Sequence, residues 1–156
     1  MILMVVDGQG GGIGAAIIKR LRDAVGYQTQ ILAFGTNSIA TSRMLKAGAN
    51  KGSTGENAIV RTAFKVDVII GSLSIIVANS MMGELTPKMA EAISSSEAGK
   101  ILIPLTQENV TIVGAGNEPL PHLVDQAIAV IREMNASLTR HNKVNVTDGP
   151  HARPKD

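Results

Sequence analysis

The stretch Asp7-Gly8-Gln9-Gly10-Gly11-Gly12-Ile13-Gly14 lies between a short apolar run and a helical pattern. The run over residues 2–6 predicts a buried strand, and apolar residues at helical spacing predict a helix over 13–25. Five of the seven residues at positions 8–14 are glycine, which lets backbone N–H groups approach an anion closely, and the helix adds the positive end of its dipole. The stretch therefore predicts a strand, a phosphate-holding loop and a helix in succession.

Helical patterns alternate with short β-branched runs along most of the chain. Further strands are predicted at 29–34, 49–52, 66–70 and 100–105, with a shorter edge strand at 110–113. Helices are predicted after the second and third strands, as a pair within 72–99 whose second member begins near Pro87, and over 119–134. This alternation predicts an α/β fold, a three-layer Rossmann-like domain over 1–135 with a mostly parallel, doubly wound sheet of five to six strands. Residues 136–156 lack a core-forming pattern and are predicted to form a polar C-terminal tail.

Composition excludes several classes of function. The chain has no cysteine, which removes disulfides, thiolate metal sites and a cysteine nucleophile. Acidic and basic residues balance over 1–135, and only 2% of residues are aromatic, so we expect no nucleic-acid partner. The longest apolar stretch, at 68–78, is too short to span a bilayer, and the chain does not begin with a signal-peptide pattern. We therefore expect no membrane partner and a cytoplasmic location.

Polar residues follow each predicted strand. The carboxyl ends of parallel strands share one edge of a sheet, where open α/β proteins bind their ligands. Asn37 or Ser38 is predicted to cap the second helix, and Ser53 or Thr54 with Glu56 the third. We expect the ligand to contact the loops after the first three strands through Asp7, Gly8, Gln9, Gly10, Gly11, Gly12, Ile13, Gly14, Thr36, Asn37, Ser38, Thr54, Glu56 and Asn57.

The glycine spacing of the first loop resembles the coenzyme turn of short-chain dehydrogenases. A typical NAD site has an acidic residue about 20 positions later that holds the ribose hydroxyls, but no Asp or Glu occurs between Asp23 and Glu56. The only tyrosine, Tyr27, has no lysine four positions later, so that family's hydride chemistry is unsupported. Arg43 is an option for a 2′-phosphate, with a solvated helix position as the simpler interpretation. The cofactor stays open as a nucleotide or a dinucleotide, with NAD disfavoured.

Asp7 and Glu56 are the candidate catalytic residues. A carboxylate beside a phosphate loop either holds a metal ion, bonds ligand hydroxyls or accepts the N–H groups of the loop itself. Glu56 is either part of a helix cap or a base or Mg²⁺ ligand. No set of residues is assigned to a metal on the sequence.

Three functions are compatible with these residues. The first is binding of a nucleotide or another phosphorylated small molecule at the glycine-rich loop. The second is a transferase or hydrolase that acts on such a compound through Asp7 or Glu56. The third is a non-catalytic sensor or accessory subunit, which forms a homo-oligomer through the Met-rich region 78–90.

Several strings along the chain carry a family resemblance. They are DGQGGGIG at 7–14, GTNSIATSRMLKAGAN at 35–50, TGENAI at 54–59, VDVIIG at 66–71, IVANSMMGELTPKMAEAI at 76–93 and EPLPHLVDQAI at 118–128. On these residues the chain resembles the bacterial domain-of-unknown-function family 3842 over about residues 2–135. The resemblance implies a Rossmann-like fold and brings no assigned activity.

Overall fold

The computed structural model describes residues 1–106 and 108–147, with side chains described as far as residue 140. Strands and helices alternate in the order β1 (Ile2–Asp7), α1 (Gly12–Val25), β2 (Gln30–Gly35), α2 (Ser38–Lys46), β3 (Lys51–Thr54), α3 (Glu56–Thr62), β4 (Val68–Ser72), α4 (Pro87–Ser95), β5 (Gly99–Ile103) and α5 (Leu120–Thr147). Two short 3-10 helices, Leu73–Ile76 and Met81–Gly83, lie between β4 and α4. The alternation expected of an α/β domain is confirmed.

The strands of the described residues form one parallel sheet in the order β3-β2-β1-β4-β5. Leu3 in the central strand β1 is in register with Ile31 of β2 and Val68 of β4. The chain runs outward from β1 to β2 and β3, then returns to the other side of β1 for β4 and β5. This reversal places a topological switch point between β1 and β4, where the loops that leave the two strands diverge and leave a crevice.

A hydrophobic cluster covers each face of the sheet, which makes the three predicted layers. Leu3 and Val5 pack under α1, α2 and α5, whereas Met4 and Val6 pack against α3 and α4. This alternation follows from the two-residue period of a strand, because successive side chains point to opposite faces. Both faces of β1 are therefore buried, and the apolar run at 2–6 reflects that position.

The edge strand predicted at 110–113 is wrong. In the described chain, residues 108–119 are irregular and include a turn at 113–114. Val110 is 40% exposed and Val113 is 96% exposed, so these β-branched residues have no sheet face to bury. A β-branched run favours a strand only where neighbouring strands can pack against it.

The first of the two helices predicted within 72–99 is also wrong, while the second, α4, begins at Pro87 as expected. The chain instead forms the two 3-10 helices, because Asn79, Met81, Met82 and Gly83 have positive φ values between 56° and 89°. The left-handed region is incompatible with a continuous right-handed helix. The Thr86 side chain caps α4 through the backbone N–H of Met89.

The last helix is longer than predicted, since α5 runs from Leu120 to Thr147 and not only to position 134. Its buried face ends near Ile131 and the half-buried Met134, and residues 135–140 are exposed. The helix continues without burial because no proline or glycine occurs between Pro121, in its first turn, and Gly149. The predicted tail thus begins inside α5, and its residues 148–156 lie outside the described residues.

Candidate functional site

The Asp7 carboxylate holds the glycine-rich loop at both of its ends. The side chain is 6% exposed; its Oδ1 accepts from the backbone N–H of Gly8 at 2.8 Å and its Oδ2 from that of Gly14 at 2.6 Å. Gly14 lies in the first turn of α1, so the carboxylate also faces the positive end of that helix. Of the three roles considered for Asp7, these bonds correspond to the one in which the carboxylate accepts the N–H groups of the loop itself.

Burial raises the pKa of the Asp7 carboxyl above its ordinary value of 3.8. The two backbone hydrogen bonds from Gly14 and Gly8 lower that pKa, and the nearby negative charge of Glu84 raises it further. The loop therefore carries an internal acidic group whose ionisation is opposed by its surroundings.

Three of the five loop glycines are required by packing. A Cβ at Gly8 would lie 2.5 Å from Oγ1 of Thr36, and a Cβ at Gly14 would lie 2.8 Å from Cβ of Asp7. Gly11 has a φ of 71°, and its Cβ would lie 2.7 Å from Cα of Ala40. At these positions a side chain would collide with the segments that pack against the loop.

Packing does not require glycine at positions 10 and 12. A Cβ would come no nearer than 3.8 Å at Gly10 and 3.5 Å at Gly12, and in both cases the neighbouring atom is Nη1 of Arg43. The guanidinium of Arg43, in α2, donates to the carbonyl of Gly10 at 3.3 Å. Arg43 thus lies beside the loop and is itself exposed, a position compatible with both options considered for this residue.

The backbone N–H groups of the loop fall into two sets, those with a hydrogen-bond acceptor within the protein and those without one. The N–H groups of Gly8 and Gly14 bond the Asp7 carboxylate, and that of Gly11 bonds the carbonyl of Gly8. The N–H of Gln9 bonds the carboxylate of Glu84. Among the described residues, the N–H groups of Gly10 and Gly12 donate no hydrogen bond. An anion on this loop would therefore meet these two amides and Arg43.

Glu84 is the main site residue that sequence reasoning missed. Its Oε2 accepts from the backbone N–H of Gln9 at 2.7 Å, and its Oε1 accepts from Nδ2 of Asn37 at 2.7 Å. Glu84 follows a segment in which Asn79, Met81, Met82 and Gly83 have positive φ, and this segment carries the chain across the carboxyl ends of β1 and β2. No local pattern signals this role, because both partners lie in distant segments of the sequence.

The loop after β2 contributes Thr36 and Asn37, as predicted. The Asn37 side chain caps α2 through Ala40 and donates from Nδ2 to the carbonyl of Gln9 at 2.9 Å. The Thr36 N–H donates to the carbonyl of Asp7 at 3.0 Å, and its hydroxyl is buried with no hydrogen-bond partner in the described chain. Ser38 is exposed at the first turn of α2.

The side chains that follow β3 bond α2 and the cap of α4, and no hydrogen bond joins them to the glycine-rich loop in the described chain. Thr54 bonds the hydroxyl of Thr41 at 2.7 Å, and Glu56 accepts from the hydroxyl of Thr86 at 2.5 Å. The expected cap of α3 by Ser53 or Thr54 is wrong, because the N-cap residue is Gly55 and has no side-chain bond. Asn57 is exposed.

A crevice of about 300 Å³ opens at the switch point between β1 and β4. We call it the switch-point crevice; it is lined by Asp7, Gln9, Ile13, Ser72, Ser74, Met81, Leu105, Thr106 and Glu108. The strand-end rule applied to β4 and β5 points to Ser72 and Thr106. The sequence prediction instead placed the ligand on the loops after β1, β2 and β3, and Thr54, Glu56 and Asn57 do not line this crevice.

Within the described residues, no group of three or more His, Cys, Asp or Glu side chains is arranged to hold a metal ion. None of the described helices combines the length and the apolar character needed to cross a membrane.

The chain was compared with known proteins at the level of family, sequence and structure. No curated protein and no solved structure matches it. A family model described as a domain of unknown function, DUF3842, matches residues 2–136. The resemblance carried by the glycine-rich loop and the other strings is therefore confirmed, and the chain belongs to the DUF3842 family.

Proposed function

We propose that this protein binds a nucleotide or another phosphorylated small molecule at the loop between β1 and α1. The loop is the first strand-to-helix connection of a doubly wound sheet, and it adjoins the switch-point crevice through Gln9 and Ile13. Phosphates bind at such loops because unpaired backbone N–H groups and the helix dipole favour negative charge.

The observation that carries the proposal concerns Gly10 and Gly12. These are the two loop glycines that no packing contact requires, and they are also the two whose N–H groups have no acceptor among the described residues. The cationic group of Arg43 lies beside both of them. Two free donors next to a guanidinium make a local anion site, although the carboxylates of Asp7 and Glu84 already occupy other amides of the loop.

The proposal is tested by calorimetric titration and thermal unfolding with AMP, ADP, ATP and inorganic phosphate, with adenosine as the control without phosphate. A ligand at 100 times its Kd stabilises the native state by about 2.7 kcal/mol, which raises the Tm by roughly 5–10 °C for a domain of this size. We expect at least one phosphate compound to bind and adenosine to bind far more weakly. Binding of none of them, or equal binding of adenosine and AMP, would contradict the proposal.

Arg43→Gln tests the anion site directly. A hydrogen bond to a charged group contributes about 1.5–3 kcal/mol, so we expect the Kd for the phosphate compound to rise at least about tenfold. Lys46→Gln, three residues later in α2, removes the same charge from an exposed position and serves as the matched control. If both variants weaken binding equally, the effect is general electrostatic attraction and Arg43 has no specific role.

A further inference from the structure

The charge of the switch-point crevice differs from that of the loop beside it. The charged side chains among its lining residues are the carboxylates Asp7 and Glu108, whereas the cation of the site, Arg43, lies over Gly10 and Gly12. A phosphate group in the crevice would meet negative charge at short range. The part of a ligand that enters the crevice must therefore be one that donates hydrogen bonds.

Hydroxyl groups line the same space. The side chain of Ser72 is 4% exposed, and its hydroxyl has no hydrogen-bond partner among the described residues. The Ser74 hydroxyl lies 3.2 Å from Oγ1 of Thr106, which also accepts from the backbone N–H of Glu108 at 2.9 Å. Ser72 thus presents an accessible hydroxyl to the crevice, whereas the buried hydroxyl without a partner in the described chain is that of Thr36.

Glu108 is held in position by the chain opposite. Its Oε1 accepts from the backbone N–H of Met81 at 2.9 Å, which leaves Oε2 without a bond in the described chain. Ile13, Met81 and Leu105 add apolar surface to the same walls. A carboxylate oxygen without a bond and the Ser72 hydroxyl beside apolar side chains match a sugar, which presents hydroxyl edges and C–H faces.

We propose that the switch-point crevice binds the sugar of the phosphorylated ligand, with its hydroxyls on Glu108 and Ser72. The inference rests on the proposed function, because the phosphate is taken to lie on Gly10 and Gly12. Gln9 and Ile13 belong to the glycine-rich loop and also line the crevice, so one compact sugar phosphate reaches both places. The ligand class is therefore a sugar phosphate or the ribose phosphate part of a nucleotide.

The test compares the Kd of inorganic phosphate, ribose 5-phosphate and phosphoethanolamine by calorimetric titration of the full chain. We expect ribose 5-phosphate to bind at least about tenfold more tightly than inorganic phosphate, because each added hydrogen bond to the carboxylate is worth about fivefold or more. Equal affinities, or a preference for phosphoethanolamine, would overturn the sugar assignment while leaving the proposed function intact. If no phosphate compound binds, both proposals fail together.

Two variants assign the effect to the crevice. Glu108→Gln keeps an acceptor for the Met81 N–H and removes the charge, and Ser72→Ala removes only the hydroxyl. In each, we expect the ratio of the Kd of inorganic phosphate to that of ribose 5-phosphate to fall at least about fivefold. Glu97→Gln, an exposed carboxylate after α4, is the control and should keep the wild-type ratio. A wild-type ratio in both crevice variants would overturn the inference.

Discussion

Oε1 of Glu84 accepts a hydrogen bond of 2.7 Å from Nδ2 of Asn37, across 47 positions of the chain. The other carboxylate oxygen accepts from the N–H of Gln9. One side chain thus ties the loop after β1 and the loop after β2 to the segment that follows β4. The glycine-rich loop is therefore held by two carboxylates of the protein, Asp7 at its ends and Glu84 in its middle.

Glu84→Gln is expected to destabilise the protein by about 1–2 kcal/mol. The amide keeps one acceptor oxygen for two donors, and hydrogen bonds to a charged acceptor are stronger than neutral ones. Urea unfolding at neutral pH measures the effect. Glu91→Gln, at an exposed position in α4, is the control and should stay within about 0.5 kcal/mol of the wild type. An equal loss in the two variants would show that Glu84 does not join the loops.

Gly11→Ala and Gly10→Ala are expected to differ sharply. Gly11 combines a φ of 71° with a Cβ position 2.7 Å from the backbone of Ala40, so we expect a loss of about 2–4 kcal/mol. Gly10 has its nearest contact at 3.8 Å, from a flexible arginine, and its substitution should change the free energy of unfolding by less than about 1 kcal/mol. Thermal unfolding of both variants is the measurement, and similar losses would contradict the division of the glycines.

Asp7 is expected to make stability depend on pH. Because its folded-state pKa is raised above 3.8, mainly by burial, its protonation favours the native state. Its contribution is fully present below pH 3.8 and is lost as the pH rises through the raised value. Asp7→Asn does not titrate, so the difference in unfolding free energy should shift in favour of the variant as the pH rises. Urea unfolding from about pH 4 to pH 7 tests this, and a constant difference would contradict it.

Arg22→Met is expected to cost about 2–4 kcal/mol. The Arg22 side chain, 9% exposed, donates to the carbonyls of Gly26, Thr29 and Gly48 and to Oδ1 of Asn50. Its loss leaves carbonyls after α1 and α2 without partners. Arg22→Lys keeps the charge without the planar fork and should recover only part of the stability. Denaturant unfolding of the two variants makes the comparison, and a loss below about 0.5 kcal/mol would contradict it.

Much of the fold follows from local patterns. The run at 2–6 is apolar because both faces of β1 are buried. The cap of α2 was narrowed to Asn37 or Ser38 because cap chemistry depends on neighbours three positions away, and the structure has Asn37. The predictions of an edge strand at 110–113 and of a helix directly after β4 were wrong, and the reason is different. Val110 and Ile112 have strand propensity with nothing to pack on. Within residues 79–83 several φ values are positive and the turns are closed by backbone hydrogen bonds such as that from the N–H of Asn79 to the carbonyl of Leu85, which helical periodicity does not reveal.

The candidate site was predictable only in part. Asp7 and the glycines of residues 8–14 stand together in the sequence, so their place at one strand end was visible. Glu84 and Glu108 were not, because the N–H groups that position them belong to Gln9 and Met81, which are 75 and 27 positions away. The residues next to a loop carboxylate in the sequence do not indicate which distant backbone amide will donate a hydrogen bond to it.

The sequence by itself determined the alternating strands and helices, the position of the glycine-rich loop and the two-sided burial of β1, because these depend on residue periodicity and on turn chemistry within a few positions. Only the tertiary structure decided which glycines packing requires, which amides stay free, and that the crevice lies between β1 and β4. Those properties arise from the strand order β3-β2-β1-β4-β5, which brings distant segments to one edge of the sheet. Hydrogen bonds and close contacts depend on distances in space, and those distances exist only once the sheet has assembled.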